Sequence, residues 1–263
     1  MQHSKEDGVV LVLADVSTLL QGDDGLRGLA SEADPVGRIL EMALECSPKT
    51  LLIDFFGASH GSAFWTSLDP RSEHVRNLVP ALLQFVLNRD WTCEAIPICP
   101  NVPGMQHEGP IPVPIRPQSV FWLVKDGNED VSVPDVTSRF GLPAPSFQRV
   151  TVSECAAPRR LPKDSNITHA LLSCLEAVSA AAVPTTRFAN VILGGTFDHL
   201  HAGHILLLSS SVLSCAGRLH IGISGDALLR NKSFAAQLEP FERRAEGVRR
   251  VVLAMNPHID LNV

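Results

Sequence analysis

Two kinds of apolar spacing alternate along the chain. Short apolar runs at 9–13 and 51–56, the second interrupted only by Asp54, read as strands buried in a parallel sheet. Between and after them the spacing opens to three and four. Val36, Ile39, Leu40 and Ala43 predict a helix over 35–44, and Val75, Leu78, Val79, Leu82, Leu83 and Val86 predict another over 72–87. Residues 92–98 and 120–124 predict two further strands, and Asp126-Gly127 suggests a turn at a hairpin edge. Glycines and acids over 22–28 mark a loop, as do Pro143 and Pro145 and the polar stretch 158–164. The run PICPNVPGMQHEGPIPVPIRP at 97–117 is too rich in proline for helix and predicts an extended connector. An alanine- and leucine-rich helix is expected over 167–182, capped by Ser165 or Asn166.

Val183-Pro184-Thr185-Thr186-Arg187 marks a linker, and the pattern beyond it is more regular. A strand over 189–193 precedes a helix over 203–216 closed by Gly217. A strand over 219–224 runs into Gly225-Asp226 and a loop around Asn231 and Lys232. A helix over 240–255 follows, with Pro240 in its first turn, and 258–263 begins a third strand. The order is βαβαβ, the first half of a doubly wound sheet. The fold class is therefore α/β. The expected organisation is an N-terminal α/β domain over 1–182, a linker over 183–188, and a Rossmann-like half-domain over 189–263.

Composition narrows the function classes. With 45% hydrophobic and 19% charged residues, the chain reads as an ordinary globular protein. A formal charge of −6 argues against a nucleic-acid partner, which calls for a basic face, but leaves room for a small anionic substrate. Cys46, Cys93, Cys99, Cys155, Cys174 and Cys215 lack any CxxC spacing and are expected to be reduced core thiols. No apolar run approaches the roughly 20 residues that span a bilayer. The start, MQHSKEDGVV, resembles neither a signal nor a transit peptide, so a cytoplasmic location is expected. His60, in the small-residue stretch FGASHGS, reads as a plain turn histidine.

The candidate chemistry lies at Gly194-Gly195-Thr196-Phe197-Asp198-His199-Leu200-His201-Ala202-Gly203-His204. In an open parallel sheet, ligands sit beyond the carboxyl ends of the strands. Gly194, Gly195 and Gly203 let backbone approach a phosphate, and the helix that starts here turns its unpaired N–H groups and positive dipole end to an anion. His201 and His204, three apart, project to one side and can stabilise charge that builds on a phosphoryl group. As a zinc half-site the pair lacks a third His or Cys at ligand spacing, so no metal is assigned to it. Asp198 reads as a turn brace, and His199 as a bystander.

The string resembles the HxGH signature of the adenylyl- and cytidylyltransferase superfamily, G-x-F-D-x-x-H-x-G-H, with Phe197, Asp198, His201, Gly203 and His204 in register. Together with GDALLRNK and LEPFERRAEGV, it is most similar to eukaryotic phosphopantetheine adenylyltransferases, a domain that animals carry within a bifunctional coenzyme A synthase. The resemblance covers 189–263. It implies transfer of an adenylyl group from ATP to 4′-phosphopantetheine, with Mg²⁺ assisting, to give dephospho-coenzyme A and pyrophosphate. It also allows mitochondrial association. By the same resemblance, His204 holds ATP phosphate and stabilises the transition state, and His201 supports the same phosphates. Thr196 and Phe197 touch phosphopantetheine and nucleotide, and Lys232 neutralises the pantetheine phosphate. Arg244 matches the family's Glu-Arg-Val position, with an exposed helix cation as the alternative. A cytidylyltransferase acting on a phosphoalcohol and a non-catalytic nucleotide-binding or interaction protein are the competing readings. The family domain runs on for a further half-sheet beyond the position of Val263, which implies either a fragment or a form that has lost the activity. It also implies marginal stability for the half-domain alone. Residues 1–188 carry no motif with a readable function, and the oligomeric state is not written in the sequence.

Overall fold

Among the residues described by the computed structural model, eight strands pair, all in parallel, in a five-stranded and a three-stranded sheet. Those residues are 8–15, 34–56, 72–98, 115, 117–124, 146–155, 167–180, 187–230 and 233–263. Outside them lie most of the proline-rich run, the 22–28 and 158–164 loops, His60, Cys99, Asp126-Gly127, Pro143, Pro145, the Ser165/Asn166 cap, 183–186 of the linker, Asn231 and Lys232.

The first sheet is built from β1 (Val9–Asp15), β2 (Thr50–Phe56), β3 (Glu94–Pro97), β4 (Ser119–Val124) and β5 (Ser146–Thr151), in the order β3-β2-β1-β4-β5. This is the strand order of a doubly wound sheet that reverses beside β1. The central position of β1 accounts for its unbroken apolar run, since Leu11 to Ala14 are wholly buried. Helices α1 (Pro35–Glu45), α2 (Glu73–Leu87), the short α3 (Val152–Cys155) and α4 (Ile167–Ala180) accompany the sheet. The apolar stripes of α1 and α2 face inward as their spacing predicts, with Val36, Ile39, Leu40, Leu78 and Leu82 buried.

One buried carboxylate ties two of these helices together. Asp34 caps α1, accepting from the Gly37 N–H at 2.9 Å. It also accepts from the Ile167 and Thr168 N–H groups at the start of α4, both at 2.9 Å, and from the Thr168 hydroxyl. Thr168 Oγ1 in turn accepts from the Val36 N–H at 3.1 Å. The orphan donors of two helix starts thus share one acceptor pair, across more than 130 positions of sequence.

The second sheet contains β6 (Phe188–Gly195), β7 (Cys215–Ile223) and β8 (Asp260–Asn262), in the order β6-β7-β8. Helix α5 (Ala202–Ser214) connects the first two strands and α7 (Phe241–Met255) the last two, with a four-residue α6 (Asp226–Leu229) after β7. This is the expected βαβαβ order. The two sheets meet where α5 and α7 touch β3, and Arg250 on α7 donates to both carboxylate oxygens of Glu94 at 2.7 and 2.8 Å.

Several expectations are corrected. Strand β4 makes no hairpin; its neighbours β1 and β5 are both parallel. Strand β5 and helix α3 are not foreseen, because SFQRVT has only weak alternation and follows two prolines. Gly217 does not close α5. The helix stops at Ser214, and Cys215 is already extended. Three residue steps on β7, from 215 to 218, match two on β6, from 188 to 190, so Gly217 sits in a bulge. A Cβ there would lie 2.4 Å from the carbonyl oxygen of Ala189, which is why the position is glycine. Pro240 is the residue before α7, not within its first turn. Cys46 is exposed at the end of α1, whereas Cys93, Cys155, Cys174 and Cys215 are buried as expected. Burial pushes the Cys174 thiol up to about 12.

Candidate active site

Strand β6 leaves the sheet through Gly194 and Gly195. Gly195 is held to the end of β7, its carbonyl accepting from the Ser224 N–H at 2.9 Å. A Cβ on Gly195 would come within 3.1 Å of the Phe197 ring, so a side chain there would displace the ring. Gly194 has no such constraint, with ordinary contact at 3.5 Å to the Gly222 carbonyl.

The turn that follows is strained. Phe197 and His199 both have left-handed backbones, φ 53° and 44°, in a region that costs residues with side chains about 1 kcal/mol or more. Two features hold it. The Phe197 side chain is fully buried in the core, at 1% exposure. On the other side, Asp198 Oδ1 accepts from the Glu239 N–H at 2.8 Å, and Glu239 Oε2 accepts from the His199 N–H at 3.0 Å. His199 Nε2 lies 3.2 Å from the Gln237 carbonyl, so that nitrogen donates and its side chain is occupied in bracing. Asp198 is a turn brace, as its position suggested.

His201 is the N-cap of α5. Its backbone is extended, and its Nδ1 accepts from the Gly203 N–H at 3.1 Å. Nδ1 therefore carries no proton, and in the neutral ring Nε2–H is the remaining donor. His204 lies one turn on, its ring centroid 4.0 Å from that of His201 and tilted by 32°. The Phe197 ring lies 5.4 Å away, at 43°. His204 Nδ1 is buried with no hydrogen-bond partner among the described residues. Burial, and then the neighbouring His201, lower the His204 pKa; Asp198 partly offsets this. The strand–turn–helix corner thus brings His201 and His204 together beside the helix start, in surroundings that favour the uncharged form of His204.

Arg244 is neither exposed nor free. Its residue exposure is 1%, and its guanidinium donates to four acceptors. Nε reaches the Glu239 carbonyl at 2.9 Å, Nη1 the carbonyls of Thr196 at 2.8 Å and Ser224 at 2.9 Å, and Nη2 the Asp226 carboxylate at 2.7 Å. The carbonyl of half-buried Thr196 is thereby part of the bracing. Lys232 lies outside the described residues. Glu239, Ser224 and Asp226 were not singled out from the sequence. They stand some thirty to forty positions along the chain from the turn they brace; the parallel pairing of β6 with β7 brings Ser224 and Asp226 to it, and Glu239 reaches it from the segment before α7.

A cleft of about 890 Å³ opens between the amino ends of β1 to β3 and helix α7, lined by Lys49, Glu94, His199, Glu239, Arg243 and Arg250 among others. Neither His201 nor His204 lines it. Among the described residues no three His, Cys, Asp or Glu side chains are grouped to hold a metal ion.

The family model for Cytidylyltransferase-like proteins matches residues 192–259. Over 77 residues the chain is 38% identical to a phosphopantetheine adenylyltransferase of Saccharomyces cerevisiae, covering 29% of this chain and 25% of that protein. Over 69 residues it is 45% identical to a phosphopantetheine adenylyltransferase of Methanopyrus kandleri, covering 26% and 43% of the two chains. A Pyrococcus abyssi protein of the same name is 40% identical over 58 residues, covering 22% of this chain and 36% of its own. The chain therefore spans between a quarter and under half of the length of these relatives. No solved structure matches it significantly. The matched region, residues 192–259, runs from within β6 to the residues after α7 and contains the whole glycine–histidine corner; it is similar to Cytidylyltransferase-like proteins and to phosphopantetheine adenylyltransferases.

Proposed function

We propose that the protein transfers an adenylyl group from ATP to 4′-phosphopantetheine, a step of coenzyme A biosynthesis. The observation that carries this reading is the pairing of His201 and His204, rings 4.0 Å apart, at the start of a helix that follows a glycine turn. The named relatives supply the substrate class.

A terminal phosphate oxygen of 4′-phosphopantetheine attacks the α-phosphorus of ATP in line. The new O–P bond forms as the bond from that phosphorus to the bridging oxygen breaks, and pyrophosphate leaves. No covalent enzyme intermediate is needed, so the protein contributes position and charge stabilisation. His201 Nε2–H and the ring of His204 face the nucleotide phosphates, and the free N–H groups at the start of α5 add the helix dipole. Thr196 and Phe197 form the turn between acceptor and nucleotide, with Gly194, Gly195 and Gly203 giving backbone access. Lys232 neutralises the acceptor phosphate. Mg²⁺ bound to the triphosphate would offset its charge; the carboxylates of Asp198 and Glu239 at the corner already accept from the Glu239 and His199 N–H groups, so the ion would be held chiefly by the nucleotide. The compartment we propose for the reaction is the cytoplasm, with mitochondrial association as a variant, on the sequence resemblance alone. No helix among the described residues is long and apolar enough to cross a membrane. The partners are ATP and 4′-phosphopantetheine, not nucleic acid.

A second reading, transfer from CTP to a phosphoalcohol, is favoured by the name of the matching family model. Pyrophosphate release with ATP and 4′-phosphopantetheine, compared with CTP and phosphocholine, separates the two. Turnover with the first pair alone is the expected result. Turnover with neither pair removes both enzymatic readings and leaves a nucleotide-binding or interaction role.

A further inference from the structure

A guanidinium withdrawn from water is costly unless its N–H groups all find acceptors. Arg244 meets that cost in an uncommon way, with three backbone carbonyls and one carboxylate drawn from three segments. Thr196 follows the end of β6, Ser224 follows β7, Asp226 opens α6, and Glu239 precedes α7. These positions lie at the carboxyl edge of the sheet, where a doubly wound fold takes its ligands. Four of the five N–H directions are used within the protein, so little of the guanidinium is left for a phosphate.

The contacts continue to the histidines. The Thr196 carbonyl held by Arg244 is followed by Phe197, at φ 53°, whose ring lies against His204. Glu239, whose carbonyl Arg244 also holds, is the residue that braces Asp198 and the His199 N–H. Both sides of the strained turn are therefore fastened to one side chain. We propose that Arg244 is a positioning residue: it sets the spacing between the His201/His204 corner and the loop after β7, and does not bind phosphate itself. For its kinetic consequence the proposal rests on the adenylyl-transfer reading.

The test uses Arg244→Lys, Arg244→Ala and Asp226→Ala in the full chain, with Val248→Ala as a control. Val248 is wholly buried on the same helix and touches none of the braced loops in the hydrogen-bond network above. A lysine offers its three donors from one point and does not span four divergent acceptors. Arg244→Lys and Arg244→Ala are expected to lower kcat about 100-fold with KM for ATP within about threefold, the size of effect that a misplacement of about 1 Å produces. Asp226→Ala, which removes one of the four partners from an exposed position, is expected to lower kcat about tenfold, through a smaller misplacement. Millimolar guanidinium is expected to restore kcat in Arg244→Ala, and ethylammonium is not. Val248→Ala is expected to lose melting temperature but keep kcat.

A second readout does not need turnover. The imidazole Hε1 resonances of His201 and His204 in the free protein are expected to shift in Asp226→Ala and in both Arg244 variants, and to stay in place in Val248→Ala. If the wild type proves inactive, the adenylyl-transfer reading falls while these resonances still decide the positioning role. Unmoved resonances in Asp226→Ala and Arg244→Lys overturn it, as does a rise in KM for ATP at unchanged kcat. Should Arg244→Ala fail to fold, Asp226→Ala and Arg244→Lys carry the decision.

Discussion

His201 and Gly203 close a short loop of their own at the start of α5: the imidazole Nδ1 accepts the glycine N–H at 3.1 Å. A Cβ on residue 203 would lie 3.0 Å from His201 Cε1 and 3.1 Å from Nδ1. Gly203→Ala is therefore expected to push the ring off its cap and turn Nε2 away from the phosphate position. Alanine favours helix over glycine by about 1 kcal/mol, which offsets much of the strain. The expected outcome is a loss of about tenfold or more in turnover, an oriented donor being worth that much, with a melting temperature close to that of the wild type. Comparing pyrophosphate release with a thermal melt of the same sample checks it, and an unchanged rate would show that His201 does not depend on this cap.

The lowered pKa of His204 has a definite sign in stability. Below about pH 6.5, the ordinary histidine value, the unfolded chain takes up a proton at this position that the folded corner resists. The contribution of His204 is therefore intact above that value and is lost as pH falls through it towards the folded-state pKa. Urea midpoints should fall between about pH 7 and pH 5 in the wild type, and less steeply in His204→Asn, which has no proton to gain. Equal slopes for the two proteins would mean that the half-buried imidazole does not resist protonation.

How much of this was legible beforehand depended on distance along the chain. The strands at 9–13 and 51–56 and the helices around Val36 and Val75 were readable because burial imposes a local period. The corner was readable because its residues are contiguous, from Gly194 to His204. Asp34 and Arg244 show what was not. Asp34 looks like an ordinary helix cap, and nothing local tells that Ile167 and Thr168 use the same carboxylate. Arg244 looks like a solvated helix cation until β6 and β7 pair and bring Thr196 and Ser224 to it. Gly217 was misread for a related reason. A glycine after a helical run signals a helix stop, whereas its real constraint is a carbonyl on a neighbouring strand.

Asp34 should accordingly be one of the most sensitive positions in the N-terminal sheet. Asp34→Ala leaves the N–H groups of Gly37, Ile167 and Thr168 without their acceptor in a buried site. At about 1–3 kcal/mol for each buried donor left unsatisfied, the loss should reach about 3 kcal/mol or more. Asp34→Asn, which keeps one acceptor oxygen, should lose less. Thr168→Val removes only the hydroxyl and should cost about 1 kcal/mol. Urea unfolding followed by the fluorescence of Trp122, buried in β4, reports on this sheet. A loss for Asp34→Ala no larger than for Thr168→Val would show that the shared cap is not what joins α1 to α4.

Gly217→Ala tests the second sheet at the end away from the histidines. The obstructing atom is a backbone oxygen, that of Ala189, and it cannot swing aside as a side chain can. Relief requires the bulge to open and the β6–β7 pairing near Phe188 and Cys215 to shift. A cost of about 2 kcal/mol or more is expected, typical of a substitution that forces an added atom against fixed neighbours. Gly194 and Gly195 pair with Gly222 and Ile223 at the other end of the same strands, so molecules that remain folded should keep the corner. Turnover should then fall only in proportion to the folded fraction, with KM unchanged, and amide exchange should quicken in β6 but not in β1. A drop in kcat per folded molecule would instead mean that the register of β6 is transmitted along its whole length to Thr196, and that the bulge at Gly217 sets the placement of the histidines.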